Sequence, residues 1–205
     1  MTDYIDLGAE TKEAYVISEK SRMLARDIIG NETLEDRIRQ RCSVAVGDFG
    51  MADLMCFSHS PIEAGLAALQ AGAPIITDIR MVTVGIQKKT HHSGVFCALD
   101  YGKEIASSRQ ITRTSAGFLA LQPQLPGSIV VIGNAPSALL IVCECIRKGI
   151  IPALIIGTPV GFVNAAESKE LLRTFPVPSI SNKGTRGGTP VAVAAMNEII
   201  TIFAE

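Results

Sequence analysis

From Met55 onward, short apolar runs without charges alternate with longer segments of helical character, and this rhythm constrains the chain more than any other feature. A strand covered on both faces reads as a continuous apolar run, and such strands joined through helices make parallel βαβ units. The candidate strands are 55–57, 74–77, 95–99, 129–132, 153–156 and 177–180, with helices at 61–71, 112–121, 137–148, 165–174 and 190–203. Ser60-Pro61 reads as a helix start, with a capping hydroxyl, Pro at the first helical position and Glu63 in the first turn. Two helices precede this core. Residues 9–29 carry Ala14, Ile17, Ser21, Leu24 and Ile28 at helical spacing, and Gly30-Asn31 ends the run. The next helix starts after Asn31 or Thr33 and turns Leu34, Ile38 and Cys42 inward; its far end, Ser43-Val44-Ala45-Val46-Gly47-Asp48, becomes small, as at a terminus entering a crowded site. One doubly wound α/β domain is expected over 1–205, with the helices of 1–48 packing on it.

Composition excludes several functions. With 19 Lys and Arg against 20 Asp and Glu, the formal net charge of −1 gives no general attraction for nucleic acid or anionic lipid. The uncharged stretches 114–143 and 149–166 raise the question of membrane spans, but Pro123, Pro126 and Pro136 break the first and Pro152 and Pro159 the second. Met1-Thr-Asp-Tyr-Ile-Asp has neither a basic start nor an apolar run, so a cytoplasmic protein is expected. The five cysteines form an odd set with no CxxC pair and read as reduced core thiols.

Ligands of open parallel sheets sit beyond the carboxyl ends of the strands, where glycine lets the backbone approach. Three segments have this form: Gly133-Asn134-Ala135-Pro136, Gly157-Thr158-Pro159-Val160-Gly161-Phe162 and Lys183-Gly184-Thr185-Arg186-Gly187-Gly188. None completes a GxGxxG or Walker A pattern, so nucleotide chemistry is disfavoured. Arg113 stands at a helix start, where a cation is badly placed; it either pairs with a carboxylate such as Asp78 or meets an anionic ligand. Arg80 invites the same two readings, including a pair with Asp78. His91 and His92 read as solvated loop residues, whereas His59, between a strand end and a helix, has a plausible catalytic address. No metal-ligand cluster is present in the pattern.

Several segments together resemble the precorrin-8X methylmutase (precorrin isomerase) family across nearly the whole chain. They are 63–78, Thr112-Arg113-Thr114, Val131-Ile132-Gly133-Asn134-Ala135-Pro136-Ser137, Pro159-Val160-Gly161-Phe162-Val163 running on to Lys169, and Arg186-Gly187-Gly188. The resemblance implies a flavodoxin-like, three-layer α/β/α fold with a mainly parallel sheet, a homodimer, and an isomerase of corrin and cobalamin biosynthesis. The family shifts a methyl group from C-11 to C-12 of precorrin-8 or its cobalt counterpart, giving hydrogenobyrinate or cobyrinate. No methyl donor or cofactor is required, and cobalt enters only as part of the substrate. Ser21, Arg113, Thr114, Gly133, Asn134, Lys183 and Arg186 are the expected substrate-binding residues: Arg113, Lys183 or Arg186 would orient ring carboxylates by charge-assisted hydrogen bonds, and by the resemblance Arg113 is the strongest of these and Ser21 a substrate-contacting position.

One departure carries chemical weight. The family's catalytic histidine lies near the end of the second helix, and gapless matching of Ala45-Val46-Gly47-Asp48 places Val44 there. Valine transfers no proton, and general acid catalysis contributes on the order of a hundredfold to ten-thousandfold. His59 is the substitute acid nearest in sequence; the competing reading is a tetrapyrrole-binding protein that keeps the pocket without the isomerase or acts on an altered substrate.

Overall fold

The structure, a computed structural model, describes residues 11–205. Helix α1 (Lys12–Ile29) starts at Thr11, whose hydroxyl accepts the Ala14 N–H. Helix α2 (Leu34–Val46) opens with a reciprocal capping box between Thr33 and Asp36 and closes on Gly47 at φ +64°. A short α3 (Met51–Leu54) runs directly into β1 (Met55–Ser58). Then come α4 (Pro61–Gln70), β2 (Ile75–Thr77), α5 (Arg80–Gly85), β3 (Val95–Cys97), α6 (Lys103–Arg109), α7 (Arg113–Ala120) and β4 (Ile129–Ile132). The chain finishes with α8 (Pro136–Arg147), β5 (Leu154–Gly157), α9 (Ala165–Arg173), β6 (Ser179–Asn182) and α10 (Thr189–Phe203).

The strands form one sheet in the order β1-β6-β5-β4-β2-β3, and helices cover both faces. All pairings are parallel except β1 with β6, where Met55 stands opposite Asn182 and Ser58 opposite Ser179. The expected α/β fold with a mainly parallel sheet is therefore present. The edge strand runs the other way for a reason of delivery. Helix α2 brings the chain to the carboxyl end of the sheet, and α3 leaves no crossover to carry it back, so β1 must start there and run down.

Alternation along the strands divides the core. Ile129 and Val131 of β4 face the layer of α2, α4 and α10, where Ile38, Leu69, Met196 and Ile199 meet Leu154, Ile156 and Ile180. Val130 and Ile132 face Phe118 of α7, Leu139, Val142 and Cys143 of α8 and Leu172 of α9. Each such side chain, fully buried, contributes about 1.5–3 kcal/mol. All five cysteines are free, and four of them are buried. No helix among the described residues is long and apolar enough to cross a membrane.

Three local expectations are corrected. The apolar spacing of α1 marks no buried stripe, since Ile17, Leu24 and Ile28 are 59%, 58% and 58% exposed and the buried residue is Ala25; on α2, Ile38 and Cys42 turn inward as expected but Leu34 is exposed. The Arg22 guanidinium lies 3.7 Å from the Glu198 carboxylate of α10, which also pairs with Arg37 and Arg41 of α2, and this charge cluster fixes the rotation of α1. Ser60 makes no capping hydrogen bond: it and His59 both adopt left-handed backbone (φ +50° and +57°) in place of the extended conformation of a capping residue. His91 is buried rather than solvated, its ring joined to the Gln87 carbonyl at 2.6 Å and accepting the Ser93 N–H at 3.2 Å.

Candidate functional site

The carboxyl ends of β2, β4, β5 and β6 carry the loops that sequence pattern singled out, and Asp78 organises them. It follows β2 and is fully buried. One carboxylate oxygen accepts from Ile79 N at 3.0 Å and Gly133 N at 3.3 Å, the other from Asn134 N at 2.7 Å and Ala135 N at 2.8 Å. Burial pushes the Asp78 carboxyl up, against the opposing pull of these backbone donors. The Gly133-Asn134 loop is thus closed by an internal anion. Its N–H groups are occupied, and what it presents outward is the exposed Asn134 side chain. Gly133 serves close packing, since a Cβ there would lie 2.9 Å from the Thr189 Cα.

Asp78 consequently pairs with neither arginine considered for it. Arg80 forms an ion pair with Asp100, while exposed Arg113 donates to the Leu99 carbonyl at 2.8 Å. Thr112 caps α7 by accepting the Ser115 N–H and meets Ser137 of α8 at 2.9 Å, so the starts of α7 and α8 are tied together at this end. Thr114 is buried, its hydroxyl 3.2 Å from that of Thr112.

On the other side, the loop after β6 is wound around one side chain. Asn182, fully buried, donates its amide to the carbonyls of Lys183 at 3.1 Å and Arg186 at 2.6 Å. Gly187, at φ +142°, has no room for a side chain, because a Cβ would come within 2.3 Å of the Thr158 carbonyl oxygen. Two backbone bonds, Gly188 N to Thr158 O at 2.7 Å and Gly161 N to Thr185 O at 3.1 Å, join this loop to the one after β5. Arg186 reaches the Asp48 carboxylate at 2.7 Å, which brings the end of α2 to the same rim. The buried Thr158 hydroxyl between these loops lacks a hydrogen-bond partner.

Val44, Val46 and Phe49 near the end of α2 are exposed, as are Val160, Phe162 and Val163 in the loop after β5, Phe162 to 94%. The rim therefore combines apolar side chains with outward cations, Arg113 at one side and Lys183 and Arg186 at the other. Such a surface suits a broad apolar ligand bearing peripheral carboxylates. A cleft of about 550 Å³ between α1, α2 and α3, lined by Ile28, Asp36, Arg39, Phe49 and Asp53 among others, shares Phe49 with the rim and holds the Asp36–Arg39 ion pair.

Other site candidates fall in different places. Ser21 is partly exposed on α1, its hydroxyl bonded to the Ile17 carbonyl, and Arg22 beside it shares Glu198 with Arg41, so Ser21 lies level with the last turns of α2. His59 is not brought to the rim. It follows Ser58, whose partner Ser179 begins β6, and four residues of strand put it about 10 Å or more from the carboxyl end at Asn182. Two contributors escaped sequence reasoning. Asp78 shows in the sequence as a possible ion-pair partner and the end of one family segment, and Lys169 only as the end of another. The signal for Lys169 is its place on the inner stripe Ala165, Ser168, Lys169, Leu172 of α9, where all four are buried.

Comparison with known proteins supplies an independent finding. A profile of the precorrin-8X methylmutase family matches residues 16–202. A cobalt-precorrin-8 methylmutase of Methanocaldococcus jannaschii is 41% identical over 207 residues, covering 95% of this chain and 96% of that protein. A precorrin-8X methylmutase of Pseudomonas aeruginosa is 37% identical over 209 residues, 98% of this chain and 99% of its own. The crystal structure of a precorrin-8X methylmutase from Thermus thermophilus superposes with a TM-score of 0.85 at 36% identity, covering 93% of this chain and 96% of that one.

Proposed function

The chain belongs to the precorrin-8X methylmutase family, and we propose that it acts as an isomerase of cobalamin biosynthesis, moving a methyl group from C-11 to C-12 within precorrin-8 or cobalt-precorrin-8. The observation that carries this reading is the rim itself: apolar Val44, Phe49 and Phe162 beside Arg113, Lys183 and Arg186, a match for a flat apolar macrocycle fringed with carboxylates. Arg113 and Arg186 hold ring carboxylates from opposite sides, with Lys183 adding attraction. Asn134 offers a neutral hydrogen bond from the loop that Asp78 stiffens, Gly133 holds that loop in place by packing closely on Thr189, and Thr114 sets the floor beside Arg113. Ser21 contributes from α1. The rearrangement is intramolecular, so these residues orient the ring and exclude water, and cobalt is present only when the substrate brings it.

A homodimer is part of the proposal. The outward stripe of Ile17, Leu24 and Ile28, with Met23 beside it, is an apolar surface that a second copy would cover. A second functional reading rests on Val44: a protein that binds the ring without isomerising it, since nothing at that position donates a proton. Incubation of the purified protein with precorrin-8 or cobalt-precorrin-8 separates the two. Appearance of the corrin product in the visible spectrum supports the isomerase; saturable binding with an unchanged spectrum at stoichiometric protein rejects it in favour of the binder.

A further inference from the structure

Lys169 is a cation in an unusual setting. It projects from the inner stripe of α9, is 0% exposed, and ranks among the largest fully buried side chains. Its ammonium donates to the Asn182 Oδ1 at 3.2 Å and to the Arg186 carbonyl oxygen at 2.6 Å, and among the described residues no carboxylate lies within ion-pair distance of it. Burying a charge against carbonyls alone is costly, so a well-packed fold gains nothing from it that an apolar residue would not supply. The ammonium instead holds one carbonyl, that of Arg186, which also receives the Asn182 amide at 2.6 Å. Both donors converge on the residue whose guanidinium reaches Asp48 at the rim.

We propose that Lys169 is a positioning residue for ligand binding: its ammonium, with Asn182, pins the main chain at Arg186 so that the guanidinium stands at the rim, facing a ring carboxylate. This rests on the reading of Arg186 as a carboxylate-binding residue. The latch is strongest while the amine is protonated, because the neutral amine keeps two N–H donors for its two acceptors but loses the charge assistance. Burial, and then the neighbouring Arg173 guanidinium, push the Lys169 amine down to about 8, with Cys56 of β1 acting in the opposite direction. Asn182 and the Arg186 carbonyl, the partners from β6 and its loop, carry no titrating proton. Ligand affinity should accordingly hold below pH 8 and fall above it.

The test measures the dissociation constant of hydrogenobyrinate by absorption titration for wild type, Lys169→Met, Arg186→Gln and the double variant, at pH 7 and pH 9.5, with thermal midpoints recorded alongside. Arg186→Gln should weaken binding at least tenfold; if it does not, the reading of Arg186 fails whatever Lys169 does. Given that weakening, Lys169→Met should cost about tenfold in the wild-type background and nothing further in the Arg186→Gln background. Wild type should bind more weakly at pH 9.5 than at pH 7, by less than the loss in Lys169→Met, while both single variants stay flat. Wild-type affinity in Lys169→Met overturns the proposal, as does an equal loss in both backgrounds, which would mean a general effect on the fold. If Lys169→Met does not fold, Lys169→Gln takes its place in the same cycle, and wild-type affinity in Lys169→Gln, or an equal loss in both backgrounds, overturns the proposal.

Discussion

Replacing Asp78 by Asn tests the claim that an internal carboxylate shapes the Gly133-Asn134 loop. The side chain keeps its size, but only one of its two terminal atoms can still accept. In the native chain each carboxylate oxygen serves two backbone donors, Ile79 and Gly133 on one, Asn134 and Ala135 on the other. Whichever way the amide turns, two N–H groups lose their acceptor and face an NH₂ group instead. An unsatisfied buried donor costs about 1–3 kcal/mol, so the loss is about 2–6 kcal/mol before relief. Removing a buried charge offsets part of that, leaving about 2–4 kcal/mol. For a chain of this size about 1 kcal/mol moves the midpoint by roughly 2–4 °C, so Asp78→Asn should melt about 5–15 °C below wild type. Thermal unfolding by circular dichroism reads the midpoint, and native-state hydrogen exchange localises the loss to Gly133, Asn134 and Ala135. A midpoint within about 2 °C of wild type, with protection of those amides unchanged, would refute the clamp.

Three further outcomes follow from the same geometry. Ile17→Glu combined with Leu24→Glu should shift the protein to monomer in sedimentation velocity at unchanged circular dichroism, whereas an unchanged assembly would remove α1 as the interface. Gly187→Ala forces a methyl group against the Thr158 carbonyl at 2.3 Å and a disfavoured φ of +142°, so it should destabilise by about 2 kcal/mol or more and weaken ring binding; wild-type denaturant stability contradicts the close approach. His59→Ala should leave both binding and turnover unaltered, because the residue sits at the opposite end of β1; a large loss of turnover would show that the edge strand does not run as described.

The parts that were legible in the sequence are those set by local pattern. Ile129-Val130-Val131-Ile132 reads as a doubly covered strand because all four residues are apolar, and all four are buried. The helices after it were recognisable from periodicity and from Pro136 and Pro190 near their starts. What pattern could not give was direction, rotation and long-range polar pairing. The sense of β1 depends on where α2 delivers the chain, which moves His59 from a catalytic address to the far end of the sheet. The outward turn of Ile17 and Leu24 depends on Glu198, more than 170 residues away in sequence from both. Asp78 looked like an arginine partner because side-chain charge is visible in a sequence, while the free N–H groups of a loop 55 residues later are not. Lys169 was hidden by its own helix, since a lysine on an inner stripe reads as an imperfection until its acceptors are seen.

The central claim is that this chain keeps the family's ring-binding site with a valine at the position of the proton donor. Val44 is exposed at the last turn of α2, so an imidazole fits there without displacing core. The decisive measurement is the single-turnover rate of corrin formation from precorrin-8 by wild type and by Val44→His under saturating protein. The account predicts a rate on the order of a hundredfold to ten-thousandfold higher for Val44→His, at similar ring affinity and with a pH dependence near the imidazole range. Equal rates for the two proteins at equal affinity would contradict it.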